Sequence, residues 1–312
     1  MADALTELLG EREWLLLDGA TGTNLFAMGL QSGEAPELWN VEAPEKVRAL
    51  HDGFIAAGSD LILTNSFGGS AFRLKLHEAE DRVVELNRAA GEIARAAADA
   101  AGRRVVVAGS VGPTGEILEP VGSLSEADAV AAFEEQIRGL MAGGADVIWA
   151  ETISAEAEIR AASQAAANLG APFCATLSFD TAGRTMMGVT SEDWARLQAS
   201  LPARPVAYGA NCGTGASDLL RTVLGITAAD PGGVVIAKGN AGIPKFVDGH
   251  IHYDGTPELM ADYARLARDS GARLIGGCCG TGDAHLRAMR AALEAHTPGP
   301  RPDLDTIRAR IG

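Results

Sequence analysis

Residues 105–177 read VVVAGSVGPTGEILEPVGSLSEADAVAAFEEQIRGLMAGGADVIWAETISAEAEIRAASQAAANLGAPFCATL. An apolar run at 105–108 breaks at Gly109-Ser110, a helical pattern follows over 125–142, and a second apolar run at 146–150 ends on Glu151-Thr152. Another helical pattern over 155–169 leads into Phe173-Cys-Ala-Thr-Leu177. Strand, helix, strand, helix, strand is the rhythm of βα units in a parallel sheet. The same rhythm extends both ways along the chain. Apolar runs recur at 14–17, 60–63, 206–209, 234–237 and 272–275, with helical patterns at 44–57, 77–101, 191–199, 216–224 and 257–270. Ser125 with Asp128, and Ser191 with its neighbouring acids, read as helix N-caps. Eight such units in 312 residues predict a (β/α)8 TIM barrel, whose usual length is about 250 residues. A doubly wound open sheet would carry a phosphate-binding GxGxxG after its first strand, and Asp18-Gly-Ala-Thr-Gly-Thr does not fit it. The predicted barrel domain is 1–296, and 297–312 forms a Pro-rich C-terminal tail, read either as a helical arm docking on another subunit or as a frayed end.

Composition agrees with this architecture and narrows the function. Thirty-eight glycines and only 5% aromatics suit many tight strand-to-helix turns around an aliphatic core. A net charge of −15 repels phosphate backbones and anionic lipid, so neither nucleic acid nor membrane is an expected partner. No apolar run is long enough to cross a bilayer, and the opening MADALTELLGEREW lacks a basic segment before an apolar one. The four cysteines are not arranged as a disulfide framework, and the expected compartment is the reducing cytoplasm.

In a barrel of this kind the residues at the C-terminal ends of the strands share one pocket. Those positions hold Asp18 and Gly19, Thr64 and Asn65, Gly109 and Ser110, Glu151 and Thr152, Asn211 and Cys212, Lys238 and Asn240, and Cys278 and Cys279. Three of the four cysteines are therefore at strand ends, and three thiolates with an open fourth position suit a catalytic zinc. Flanking glycines in Gly209-Ala-Asn-Cys-Gly and Gly276-Gly-Cys-Cys-Gly permit the required turns. The same residues also read as buried small hydrophobes or a redox-active vicinal pair. Cys174, inside its apolar run, reads as core. Lys238 stands where a barrel aldolase places a Schiff-base lysine, against the plainer reading of an ion-pair or solvent-facing group. His250 and His252, at i, i+2 spacing, read as loop histidines with metal binding as the alternative, and His51 and His77 as surface groups on helices.

Taken together, Asp18-Gly-Ala-Thr-Gly-Thr, Thr64-Asn-Ser-Phe, Gly109-Ser-Val-Gly-Pro, Glu151-Thr, Gly209-Ala-Asn-Cys-Gly, Asn240-Ala-Gly-Ile-Pro and Gly276-Gly-Cys-Cys-Gly-Thr resemble the ordered motifs of the homocysteine S-methyltransferases. That family includes betaine-homocysteine methyltransferase, S-methylmethionine-dependent enzymes and the homocysteine domain of cobalamin-dependent methionine synthase. The resemblance runs over roughly residues 10–295. It implies that Cys212, Cys278 and Cys279 hold Zn²⁺ and that the homocysteine sulfur takes the open position. A free thiol has a pKa near about 8.5, and coordination removes its proton, so no side chain is expected to act as a general base. The resemblance also implies that Asp18 and Glu151 accept hydrogen bonds from the substrate ammonium and that backbone amides near Ser110 and Gly19 receive its carboxylate. Asn65 either lines this pocket or ties loops together.

The implied partners are homocysteine and a small methyl donor, betaine first, with S-methylmethionine or another sulfonium, or a corrinoid protein in trans, as the alternatives. The betaine enzymes of animals carry a tyrosine directly after the glutamate, and here that position is Thr152, as in the cobalamin-type enzymes. Aromatic faces for an onium cation are offered by Trp39, Phe67, Trp149 and Tyr253. The tail and the outer helices permit a homodimer.

Overall fold

The computed structural model describes residues 3–243, 245–247 and 250–312, with the side chains of 245–247 and 250–252 outside that description. The strands are β1 Leu15–Leu16, β2 Leu61–Leu63, β3 Val106–Val111, β4 Val147–Ile153, β5 Phe173–Leu177, β6 Ala207–Cys212, β7 Val235–Gly239, β8 Lys245–Val247, β9 His250–His252 and β10 Ala272–Gly277. Eight of them form one parallel sheet in the order β1-β10-β7-β6-β5-β4-β3-β2, while β8 and β9 make a separate antiparallel pair. With helices between successive strands, this is the predicted (β/α)8 barrel, nearly closed. Each of the eight apolar runs forms a strand. The histidines of β9, His250 and His252, lie outside the described side chains.

Asp60 is prominent among the contacts that close the sheet between β1 and β2. Asp60 N–H donates to the Leu16 carbonyl at 2.7 Å, and the Asp60 carboxylate accepts from Leu16 N–H at 3.0 Å. That carboxylate is buried and also meets Arg12 at 2.7 Å, Arg290 at 2.9 Å and Arg103 at 3.4 Å.

Alternation along the strands separates two apolar layers, because successive side chains point to opposite faces. Leu15, Leu17, Leu61, Leu63, Val106 and Trp149 fill the barrel interior, whereas Leu16, Ile62 and Val107 face the helices. Cys174 is fully buried in the inner layer, as its place in the run implied. A helix that the sequence reading passed over, Ala4–Glu11, plugs one end of the barrel. Asp3 caps it, and Leu5 and Leu8 enter the interior cluster, each burial worth roughly 1.5–3 kcal/mol.

Helix boundaries differ from expectation where local chemistry intervenes. Ser125 caps Glu126–Ala142 as predicted, but Thr190 caps Ser191–Leu197 by accepting from Asp193 N–H, so Ser191 is helical rather than a cap. The pattern over 77–101 splits because Glu78 adopts a left-handed φ of 55°, and the regular helix begins only at Val83–Asp99. His51 is not a surface group. It is fully buried on the core face of Pro44–Ala56, and burial pushes its imidazole down to about 4, so it is neutral near pH 7.

The tail forms a capped helix, Leu304–Ile311, lying on its own barrel rather than fraying. Ile307 and Ile311 are buried in the outer core, and Arg310 reaches Asp262 at 2.8 Å. Among the described residues, no helix is long and apolar enough to cross a membrane.

Candidate active site

The strands outrun their apolar cores, so several polar residues at the ends of the apolar runs belong to the ladders. Ser110 pairs in register with Trp149, Asn211 with Lys238, and Cys212 with Gly239. This places Ser110, Glu151, Cys212 and Lys238 on the rigid rim of the barrel, where a site can be held more tightly than on loops.

Cys212 ends β6, and Cys278 and Cys279 follow β10, with β7 between the two strands. All three sulfurs lie within 4.8 Å of one another, and the Cys212 and Cys279 Sγ atoms are 3.9 Å apart. The thiols are unbonded. Two sulfurs, each about 2.3 Å from one tetrahedral ion, stand roughly 3.8 Å apart, so the spacing fits a shared metal. Hydrogen bonds from Cys212 and Cys278 hold the Cys279 thiol down to about 3, while Cys212, bonded to both neighbours, is pushed up. Tyr253 also donates to Cys279.

The backbone around this cluster is strained and pinned. Cys212 has φ 61° and Thr152 has φ 62°, a left-handed conformation that costs a side-chain-bearing residue about 1–3 kcal/mol. The two positions are clasped together: Thr152 N–H donates to Asn211 Oδ1 at 2.9 Å, and Asn211 Nδ2 donates to Thr152 Oγ1 at 2.7 Å. The same Asn211 amide approaches Cys278 Sγ at 3.8 Å. Asn240 joins the two cysteine loops, donating to the Gly213 carbonyl at 2.8 Å and accepting from Cys279 N–H at 3.1 Å. Gly213, at φ 75°, completes the sharp turn after Cys212.

Beside the thiols are two carboxylates and a lysine. Glu151 accepts from Ser110 Oγ at 2.5 Å, and burial pushes its carboxyl up to about 7 against the opposing pull of Lys238. Asp18 is fully buried, with Oδ2 accepting from Leu63 N–H at 2.7 Å and Oδ1 2.9 Å from Lys238 Nζ. Burial pushes Asp18 up while Lys238 pulls it down. Burial opposes the Lys238 charge, but Asp18 and Glu151 outweigh it and hold the ammonium above its ordinary range.

A model of the homocysteine S-methyltransferase family matches residues 15–293. The chain belongs to that family. The chain is 31% identical over 307 residues to methionine synthase of Mycobacterium tuberculosis, covering 93% of this chain and 25% of the relative. It therefore spans about a quarter of that curated relative's length. Among solved structures it is similar to the homocysteine methyltransferase MmuM from Escherichia coli. The metallated form of MmuM superposes with a TM-score of 0.78 at 27% identity, covering 93% of this chain and 99% of that one. The oxidised form gives 0.76 at 27% identity with the same coverage. Family membership places the chain among methyltransferases.

Other expected site residues have different surroundings. Asn65 is buried and ties loops together, donating to the Pro36 carbonyl at 2.7 Å and to Asn40 Oδ1 at 3.0 Å. Both of its amide hydrogens thus have partners within the protein. The Ser110 backbone N–H, one of the expected carboxylate donors, is engaged by Thr64 Oγ1 at 2.9 Å. Among the aromatics, Trp149 is interior core, and the Trp39 face is already covered by Lys46 Nζ at 4.2 Å. Phe67, 39% exposed after β2, and Tyr253 remain at the rim. Sequence reasoning undervalued Lys238, Asn211 and Asn240. Their signal was only position, a polar side chain ending an apolar run whose neighbours in sequence were already chemical candidates.

Proposed function

We propose that the chain is a zinc-dependent homocysteine S-methyltransferase that forms methionine from homocysteine and a small onium donor, with Cys212, Cys278 and Cys279 as the metal ligands. The observation that carries this reading is the three-sulfur cluster, whose spacing suits one tetrahedral ion and whose donors are the soft thiolates that zinc takes. Zinc held by three thiolates would keep the substrate sulfur deprotonated near neutral pH and nucleophilic.

The chain's own residues then set the geometry of an in-line transfer. Glu151, oriented by Ser110, accepts from the substrate ammonium, with Asp18, itself paired to Lys238, as the second acceptor. Asn211, Thr152 and Asn240 keep the two cysteine loops in register. In the reaction the sulfur's electron pair forms a bond to the methyl carbon. The bond from that carbon to nitrogen or sulfur of the donor breaks, its electron pair leaves with the donor, and the thiol proton goes to solvent. Phe67 and Tyr253 offer aromatic faces to the donor cation, and the net charge of −15 favours its approach. The free thiols suit the reducing cytoplasm.

Betaine is the first donor to test, and S-methylmethionine or another sulfonium the second. The zinc-loaded, reduced protein is expected to form methionine from homocysteine with one of these as sole donor. Turnover with betaine would fix the donor, and turnover only with a sulfonium would move the reading to that class. Absence of turnover with both would reject a small donor, favouring a methyl group delivered by a corrinoid on another protein, the alternative that Thr152 supports. Glu151→Ala is expected to raise KM for homocysteine by about 10-fold or more, the loss of a charge-assisted hydrogen bond worth about 1.5–3 kcal/mol. An unchanged KM would remove Glu151 from the amino-acid site.

A further inference from the structure

Lys238 is the one buried lysine or arginine among the described residues, 3% exposed at the C-terminal end of β7. Its register partners are Asn211, beside Cys212 on β6, and Gly276, two residues before Cys278 on β10. The lysine thus sits between the strands that carry the thiols. An ammonium has three hydrogens to donate. The ammonium forms an ion pair with Asp18 Oδ1 at 2.9 Å and donates one hydrogen to the Gly19 carbonyl at 3.3 Å. Among the described residues, the ammonium makes no other hydrogen bond or ion pair. A buried donor left without a partner is costly, so its remaining hydrogen calls for an acceptor from a ligand.

The charges of the site identify the ligand group. Lys238 faces Asp18, Glu151 and Cys278. Its pair with Asp18 is neutral, Glu151 matches a substrate ammonium, and the cysteine cluster is negative when it holds a metal. The α-carboxylate of an amino-acid thiol entering this pocket would meet only negative or neutral groups, apart from Lys238. Of the two amides expected to receive it, that of Ser110 is held by Thr64, and that of Gly19 carries no full charge.

We infer that Lys238, positioned by Asp18 and the Gly19 carbonyl, binds the α-carboxylate of the acceptor and makes the enzyme selective for amino-acid thiols over simple aminothiols. This rests on homocysteine being the acceptor. The two probes are L-homocysteine and 3-aminopropane-1-thiol, which keeps the ammonium and the thiol and lacks the carboxylate. The wild-type holoenzyme is expected to show a KM at least about 10-fold lower for homocysteine, in line with one charge-assisted hydrogen bond. Equal values would overturn the inference without any variant.

Lys238→Met is expected to raise KM for homocysteine about 10-fold or more while moving that of the aminothiol far less. Because this change leaves the Asp18 carboxylate buried and unpaired, the double variant Asp18→Asn/Lys238→Met is measured beside it. Parallel rises in both KM values would assign Lys238 a merely structural role and contradict the inference. A wild-type enzyme that methylates neither thiol would reject the proposed function itself, a distinguishable outcome.

Discussion

Cys212→Ala is expected to lose bound zinc and to lower methionine formation more than about 100-fold. Disturbing the groups that merely support metal ligands already lowers affinity or activity about 10–100-fold, and removing a ligand exceeds that. Cys212 stands at the end of β6 with its sulfur 3.9 Å from that of Cys279, and its left-handed backbone serves no packing need that a sheet would impose. The same loss is expected for Cys278→Ala and Cys279→Ala. Cys174→Ala is the contrast, because that thiol lies in the barrel interior, where burial pushes it well above its ordinary range and leaves it inert. Zinc content per chain, measured with turnover for all four variants, checks the division. Retention of zinc and activity by Cys212→Ala would show that the cluster is not the metal site.

The second large effect concerns the barrel seam. Asp60→Ala should destabilise the fold by about 3–5 kcal/mol, because it removes the buried carboxylate shared by three partly exposed arginines and strands the Leu16 amide. In a chain of this size that corresponds to a melting point roughly 5–8 °C lower. Asp60→Asn, which can still accept from Leu16, should lose less. Thermal unfolding followed by circular dichroism measures both, and a shift within about 2 °C for Asp60→Ala would show that closure does not depend on this carboxylate.

The barrel was legible because its strands are short apolar runs buried on both faces, which periodicity detects without tertiary information. Their C-terminal limits were not. Cys212 and Lys238 extend ladders that hydropathy alone would end before them, since hydrogen bonding to a neighbouring strand is indifferent to side-chain polarity. The plug helix Ala4–Glu11 was not legible, and for the tail a helix, Leu304–Ile311, was only one of two readings, for a related reason. Each is eight residues long, too short to be stable by itself, and owes its order to packing on the barrel.

Within the site, the cysteine triad was legible from motif spacing. The partners of Asp18, Asn65 and Ser110 depend on which strands the fold brings side by side, so no local pattern encodes them. His51 shows the limit from the other direction, a polar residue whose helix turns it inward where composition gives no warning.

Zinc-edge X-ray absorption on the purified, reduced protein, with and without L-homocysteine, tests the central claim most directly. Three sulfur ligands in the free enzyme, rising to four when homocysteine is added, is the expected result. A metal bound without sulfur, or a sulfur count that does not change with homocysteine, would contradict the assignment of Cys212, Cys278 and Cys279 as the site where the acceptor sulfur is held.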